Sequence, residues 1–129
     1  MINIQALGIV QPDIYVCGGI MEMKKIEATA EVHYMTVAPQ DSMSPLATMV
    51  NIHCVASTPN FLILEYRAPD DGARRDVLDG PPMVKDGHAA IPNKPGWGVE
   101  VNEKAFKHYP SRPWKRTTDS RGDGSVAFI

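Results

Sequence analysis

Features that mark several large functional classes are scarce in this sequence. It has only two cysteines in 129 residues, Cys17 and Cys54, which fall in unrelated predicted elements with no CxxC pair. A disulfide framework or zinc site is therefore unsupported, and two reduced thiols are expected. The four histidines, His33, His53, His88 and His108, share no ligand spacing. A basic excess is missing too: the net charge is -2, which argues against nucleic acid or an anionic membrane as a partner. No apolar run is longer than Phe61-Leu62-Ile63-Leu64, far short of a bilayer span. The N-terminus lacks the basic-then-apolar pattern of a signal peptide, so a cytoplasmic location is expected. What is present is ordinary, with 43% apolar and 22% charged residues in a length that fits one domain, as in soluble globular proteins.

The most informative stretch is Ile9-Val10-Gln11-Pro12-Asp13-Ile14-Tyr15-Val16-Cys17-Gly18-Gly19-Ile20. An apolar strand, a polar tip, a glycine pair and a helical pattern make one βα unit, and in α/β barrels catalytic groups sit on such tips. Asp13 is thus a candidate catalytic residue; the alternative is that Pro12-Asp13 forms only a turn. Ile20, Met23, Ile26 and Ala30 then recur at helical spacing, with Glu22, Lys24, Lys25 and Glu27 between them, which predicts an amphipathic helix with one buried face.

A second unit follows. Tyr34-Met35-Thr36-Val37-Ala38 reads as a strand ending in the polar tip Pro39-Gln40-Asp41-Ser42. Ser44 suits an N-cap and Pro45 the first helical position, with Leu46, Met49, Val50 and His53 on one face. Phe61-Leu62-Ile63-Leu64-Glu65-Tyr66 is nearly unbroken apolar, as in a strand buried on both faces by βα packing. Regular alternation of strand and helix makes a parallel sheet the default, with Asp13, Gln40 and Glu65 converging at one edge.

From residue 68 onward turn residues dominate. Met83-Val84-Lys85, Asp86-Gly87 and His88-Ala89-Ala90-Ile91 spell a hairpin with a two-residue turn. Residues 102–109 suit a short helix, and residues 110–129 an irregular tail. Arg121-Gly122-Asp123 spells an integrin-type tripeptide without any cue for secretion, and Gly18-Gly19 offers either an anion cradle or a tight turn.

Gln11-Pro12-Asp13, Gly18-Gly19-Ile20, Lys24-Lys25-Ile26, Val37-Ala38-Pro39, Ser57-Thr58-Pro59-Asn60-Phe61 and Leu64-Glu65-Tyr66 form a joint pattern. It extends into Lys94-Pro95-Gly96-Trp97-Gly98-Val99, Arg112-Pro113-Trp114 and Asp123-Gly124-Ser125-Val126-Ala127. Over essentially the whole chain this pattern resembles the C-terminal part of the mandelate racemase/muconate lactonizing enzyme family of the enolase superfamily, and within it the galactonate and gluconate dehydratases.

The resemblance implies a partial TIM-like (β/α) barrel. Residues 1–67 would hold its last three strands, in βαβαβ order, and residues 68–129 a C-terminal extension that packs on a capping domain. It implies that Asp13 matches the aspartate that orients a catalytic histidine, and that Glu65 matches the glutamate that binds the enolate intermediate. Gln40 stands at the histidine's place and cannot exchange a proton near neutral pH. Magnesium is the family's metal, and its ligands come from the third, fourth and fifth strands, outside this sequence. The expectation is a truncated or split part of an acid-sugar dehydratase that eliminates water to give a 2-keto-3-deoxy acid, inactive alone and acting on sugar acid only in a complete barrel. The alternative is a non-catalytic remnant or interaction module that self-associates or complements an N-terminal chain.

Overall fold

The computed structural model describes residues 6–68, 72–80 and 82–113. Residues 114–129, which carry Trp114, Arg121-Gly122-Asp123 and most of the expected tail, lie outside the described residues, as do Asp70, Asp71 and Pro81.

Two βα units come first: β1 (Ile9–Val10) leads into α1 (Ile20–Val32), and β2 (Thr36–Val37) into α2 (Pro45–Val55). β1 and β2 are parallel, with Ile9 opposite Thr36 and Val10 opposite Val37. The third apolar run lies parallel on the far side of β2, bridged from Phe61 to Val37. The chain is therefore mixed α/β with short parallel sheet pieces in the expected order.

The first connection explains its glycines. The turn after Asp13 is closed by Cys17 N–H donating to the Asp13 carbonyl at 2.8 Å and Gly19 N–H to that of Ile14 at 2.9 Å. This geometry needs left-handed backbone at Gly18 and Gly19, with φ of 105° and 95°, which other residues adopt only with strain. The pair serves as a tight turn. At the other end of α1, Met35 N–H donates to the Ala30 carbonyl and Tyr34 N–H to that of Glu31, both at 2.9 Å. These are the two bonds of a Schellman cap, with Tyr34 in the left-handed position at φ 57°. Tyr34 therefore belongs to the turn, and regular β2 spans only Thr36–Val37 of the expected run.

The buried face of α1 is Met23, Glu27 and Ala30. Glu27, expected among the solvent-facing positions, is instead inside, because its Oε2 accepts from Lys24 Nζ at 2.8 Å and from Thr58 Oγ1 at 2.8 Å. Lys24 Nζ also donates to the Cys54 carbonyl at 3.0 Å, and Asn60 Nδ2 donates to the Glu27 and Met35 carbonyls. Lys24, Glu27 and the Ser57-Thr58-Pro59-Asn60 segment thus form one polar clasp joining α1 to the end of α2.

α2 starts as its sequence dictates, with Ser44 Oγ accepting from Ala47 N–H at 3.1 Å and Pro45 in the first turn. Its burial is wider than the expected stripe: Ala47, Thr48, Met49, Asn51, Ile52 and Cys54 are all buried, while Leu46, Val50 and His53 are only partly so. The reason is that α2 packs on two sides. Ala47 and Cys54 meet Ile14 and Met23, whereas Met49 and Ile52 meet Leu78, with Val77 and Val99 beside them. A further cluster of Val10, Ala30, Met35 and Val37 lies between α1 and the parallel strands.

The later residues form α3 (Gly72–Asp76), β3 (Leu78–Asp79), β4 (Val84–Lys85), β5 (His88–Ala89), β6 (Glu100–Val101) and α4 (Ala105–His108). β4 and β5 make the expected antiparallel hairpin, and positive φ at both Asp86 and Gly87 suits a type I′ turn. β3 pairs antiparallel with β6. His53 Nε2 lies 3.3 Å from the Trp97 carbonyl, with the two rings 5.6 Å apart, tying this part to α2.

One expectation fails. Residues 61–66 are not buried on both faces: Phe61, Leu62 and Ile63 are 37%, 51% and 62% exposed. Among the described residues, the segment has a strand neighbour on the β2 side only. Across an open groove of about 490 Å³ it faces the end of α2 and the β4–β5 hairpin.

Candidate active-site edge

Parallel pairing carries the three polar tips beyond the regular strands and keeps them in line. Gln40 N–H donates to the Pro12 carbonyl at 3.1 Å, and Asp13 and Gln40 form a parallel bridge. On the other side, Leu62 N–H donates to the Val37 carbonyl at 2.9 Å and Glu65 N–H to that of Pro39 at 3.1 Å. Asp13, Gln40 and Glu65 therefore stand side by side at one edge.

Their side chains have different partners. Asp13 Oδ1 accepts from Tyr15 N–H at 2.7 Å and from Val16 N–H at 3.2 Å, so this carboxylate pins the turn it begins while standing at the edge. The turn reading of Pro12-Asp13 therefore holds. Gln40 Nε2 donates to Ser42 Oγ. Glu65 Oε2 accepts from the Asp41 backbone N–H at 3.3 Å.

Asp41 is the residue the sequence reasoning missed. It is 1% exposed, and neither carboxylate oxygen has a hydrogen-bond partner among the described residues. Burial pushes its pKa from 3.8 up to about 6, as expected for a desolvated carboxyl. The Thr48 hydroxyl and the Arg74 guanidinium oppose the rise, and Asp13 and Glu65 add to it. The Thr48 proton is directed at the Ser44 carbonyl over a long 3.4 Å, and a hydroxyl can turn instead toward Asp41. Arg74 was also missed; its Nη1 donates to the Ser42 and Met43 carbonyls at 2.9 and 3.0 Å, clamping the loop after Gln40. The one available signal for Asp41 is its place in the polar tip Pro39-Gln40-Asp41-Ser42.

These groups suit proton storage and hydrogen bonding at the edge. They do not suit a metal: among the described residues, no set of three or more His, Cys, Asp or Glu side chains is arranged to hold an ion. Nor is any described helix long and apolar enough to cross a membrane.

The chain is similar in sequence and fold to known proteins. The family model for enolase C-terminal domain-like proteins matches residues 1–105. The chain is 35% identical to a D-xylonate dehydratase of Haloferax volcanii over 80% of its own length and 25% of that protein. It is 35% identical to a D-galactonate dehydratase of Xanthomonas campestris pv. campestris over 94% of its length and 34% of that protein. A solved enolase from Pantoea ananatis with bound D-gluconate and magnesium superposes with a TM-score of 0.83 at 31% identity, over 97% of this chain and 31% of that one. The chain thus spans between a quarter and about a third of the length of these relatives. With its parallel tips, its motifs and these matches taken together, the chain belongs to the enolase superfamily, in the mandelate racemase/muconate lactonizing enzyme family.

Proposed function

We propose that this chain forms the last three strands of a (β/α) barrel that dehydrates a sugar acid, and that Asp13, Gln40 and Glu65 line its active edge. The observation that carries this reading is the alignment of the three tips by the Gln40–Pro12 and Glu65–Pro39 backbone bonds, in a chain whose relatives include acid-sugar dehydratases. Glu65 is the group placed to bind the oxygen-rich intermediate formed when a proton leaves the carbon beside the substrate carboxylate. Asp13 holds the first tip in register, and Gln40 offers hydrogen bonds but no proton transfer near neutral pH. Magnesium would neutralise charge on that intermediate; the described residues of this chain do not fit it, so its ligands belong to other strands of the barrel.

Complementation tests this. The chain would be assembled with the cap and first five strands of the Xanthomonas D-galactonate dehydratase and given galactonate, gluconate and xylonate with magnesium. Gln40→His is expected to produce keto-acid formation that Glu65→Ala then removes. A complex that forms but gains nothing from Gln40→His would put Gln40 outside the proton-transfer position.

A further inference from the structure

Asp41 is a buried carboxyl whose two oxygens have no hydrogen-bond partner among the described residues. Groups face it from each packed element: Asp13 from the β1 tip, Glu65 from the third parallel segment, Arg74 from α3 and the Thr48 hydroxyl from α2. Arg74 is the cation among them, and its Nη1 is spent on the Ser42 and Met43 carbonyls. The main chain of Asp41 meanwhile holds Glu65 Oε2 at 3.3 Å. A negative charge on the Asp41 side chain therefore opposes the contact that its own backbone makes, since two nearby carboxylates repel most strongly where water is excluded.

We propose that Asp41 is a positioning residue for Glu65 and works as a proton-controlled latch: with its carboxyl protonated, the loop of residues 40–43 holds Glu65 through the Asp41 amide, and with the carboxyl ionised, Glu65 is released. The proton lost on opening goes to solvent; the carboxyl O–H is the one covalent bond that breaks, and the Asp41 N–H···Glu65 Oε2 hydrogen bond opens with it. The latch does not depend on the dehydratase reading, because it needs no turnover. Burial sets the pKa near 6, so the latch is closed at pH 5 and mostly open at pH 7.

Carboxyl-carbon NMR titration of the full chain, with amide hydrogen exchange at Asp41, tests this directly. The Asp41 carboxyl is expected to titrate near pH 6 rather than near 3.8. Protection of its amide, corrected for intrinsic exchange, is expected to fall about tenfold between pH 5 and 7. Asp41→Asn should abolish that fall while keeping the amide protected throughout. Glu65→Gln removes one repelling charge and should lower the Asp41 midpoint, which keeps the test decisive even if Asp41→Asn does not fold. A midpoint near 3.8, protection that does not change with pH, the same fall in Asp41→Asn, or an Asp41 midpoint unmoved by Glu65→Gln would each overturn the latch.

Discussion

The Asp41 backbone N–H donates to Glu65 Oε2 at 3.3 Å across 24 residues of sequence, and this bond joins the second and third polar tips into one edge. Neither residue's own element explains the contact. Parallel pairing of residues 61–65 along β2 brings Glu65 level with the loop after Gln40, and Arg74 holds that loop by its carbonyls.

The buried Asp41 gives the chain a pH-dependent stability. Its folded pKa, about 6, lies above the ordinary 3.8, so its contribution is fully present below about pH 4 and is lost as pH rises through 6. Asp41→Asn removes that loss. Urea denaturation at pH 5 and 7 should show wild type losing about 1–2 kcal/mol more than the variant over this interval.

Local chemistry was the most legible part of the sequence. The Ser44-Pro45 start of α2, the Asp86-Gly87 turn and the order of the parallel units follow from short-range rules, and the structure contains all of them. The three tips were legible for the same reason, since period and polarity locate strand ends. Burial was harder to read, because it depends on partners far away in sequence. Glu27 looks solvent-facing until Thr58 arrives 31 residues later. Residues 61–63 look doubly covered because an apolar run says nothing about whether both faces find neighbours. The burial of Asp41 is not legible locally, because the groups that face it, Thr48 and Arg74, come from α2 and α3.

The clasp around Glu27 should outweigh surface pairs of the same spacing. Glu27→Ala removes the charged one of the two acceptors that Lys24 and Thr58 share, leaving them the Cys54 carbonyl, at a cost of about 1–2 kcal/mol. The Glu22–Lys25 pair has the same i,i+3 spacing but is exposed, and Glu22→Ala should cost under about 0.5 kcal/mol. Parallel denaturation curves for the two variants measure the difference.

Tyr34 occupies the left-handed position of the α1 cap while 96% exposed, so it carries backbone strain and little packing. Tyr34→Gly should stabilise the chain by about 0.5–1 kcal/mol, read as a rise of a few degrees in Tm.

Phe61, Leu62 and Ile63 leave an apolar strip on an extended segment whose far side has no strand partner among the described residues, which favours association. Sedimentation at micromolar concentration should show species larger than the 14.2 kDa monomer. Ile63→Lys should shift them toward monomer. A monodisperse wild-type monomer with a cooperative melt would contradict this expectation.

Under the proposed function, Asp13, Gln40 and Glu65 form one side of a sugar-acid dehydratase site that these residues do not complete by themselves. The most direct measurement is keto-acid formation by the purified chain alone, supplied with magnesium and galactonate, gluconate or xylonate. The expected result is no turnover above background, because Gln40 cannot move the proton and the described residues do not form the metal site. Turnover that disappears on Glu65→Ala would show that the chain completes a site by itself.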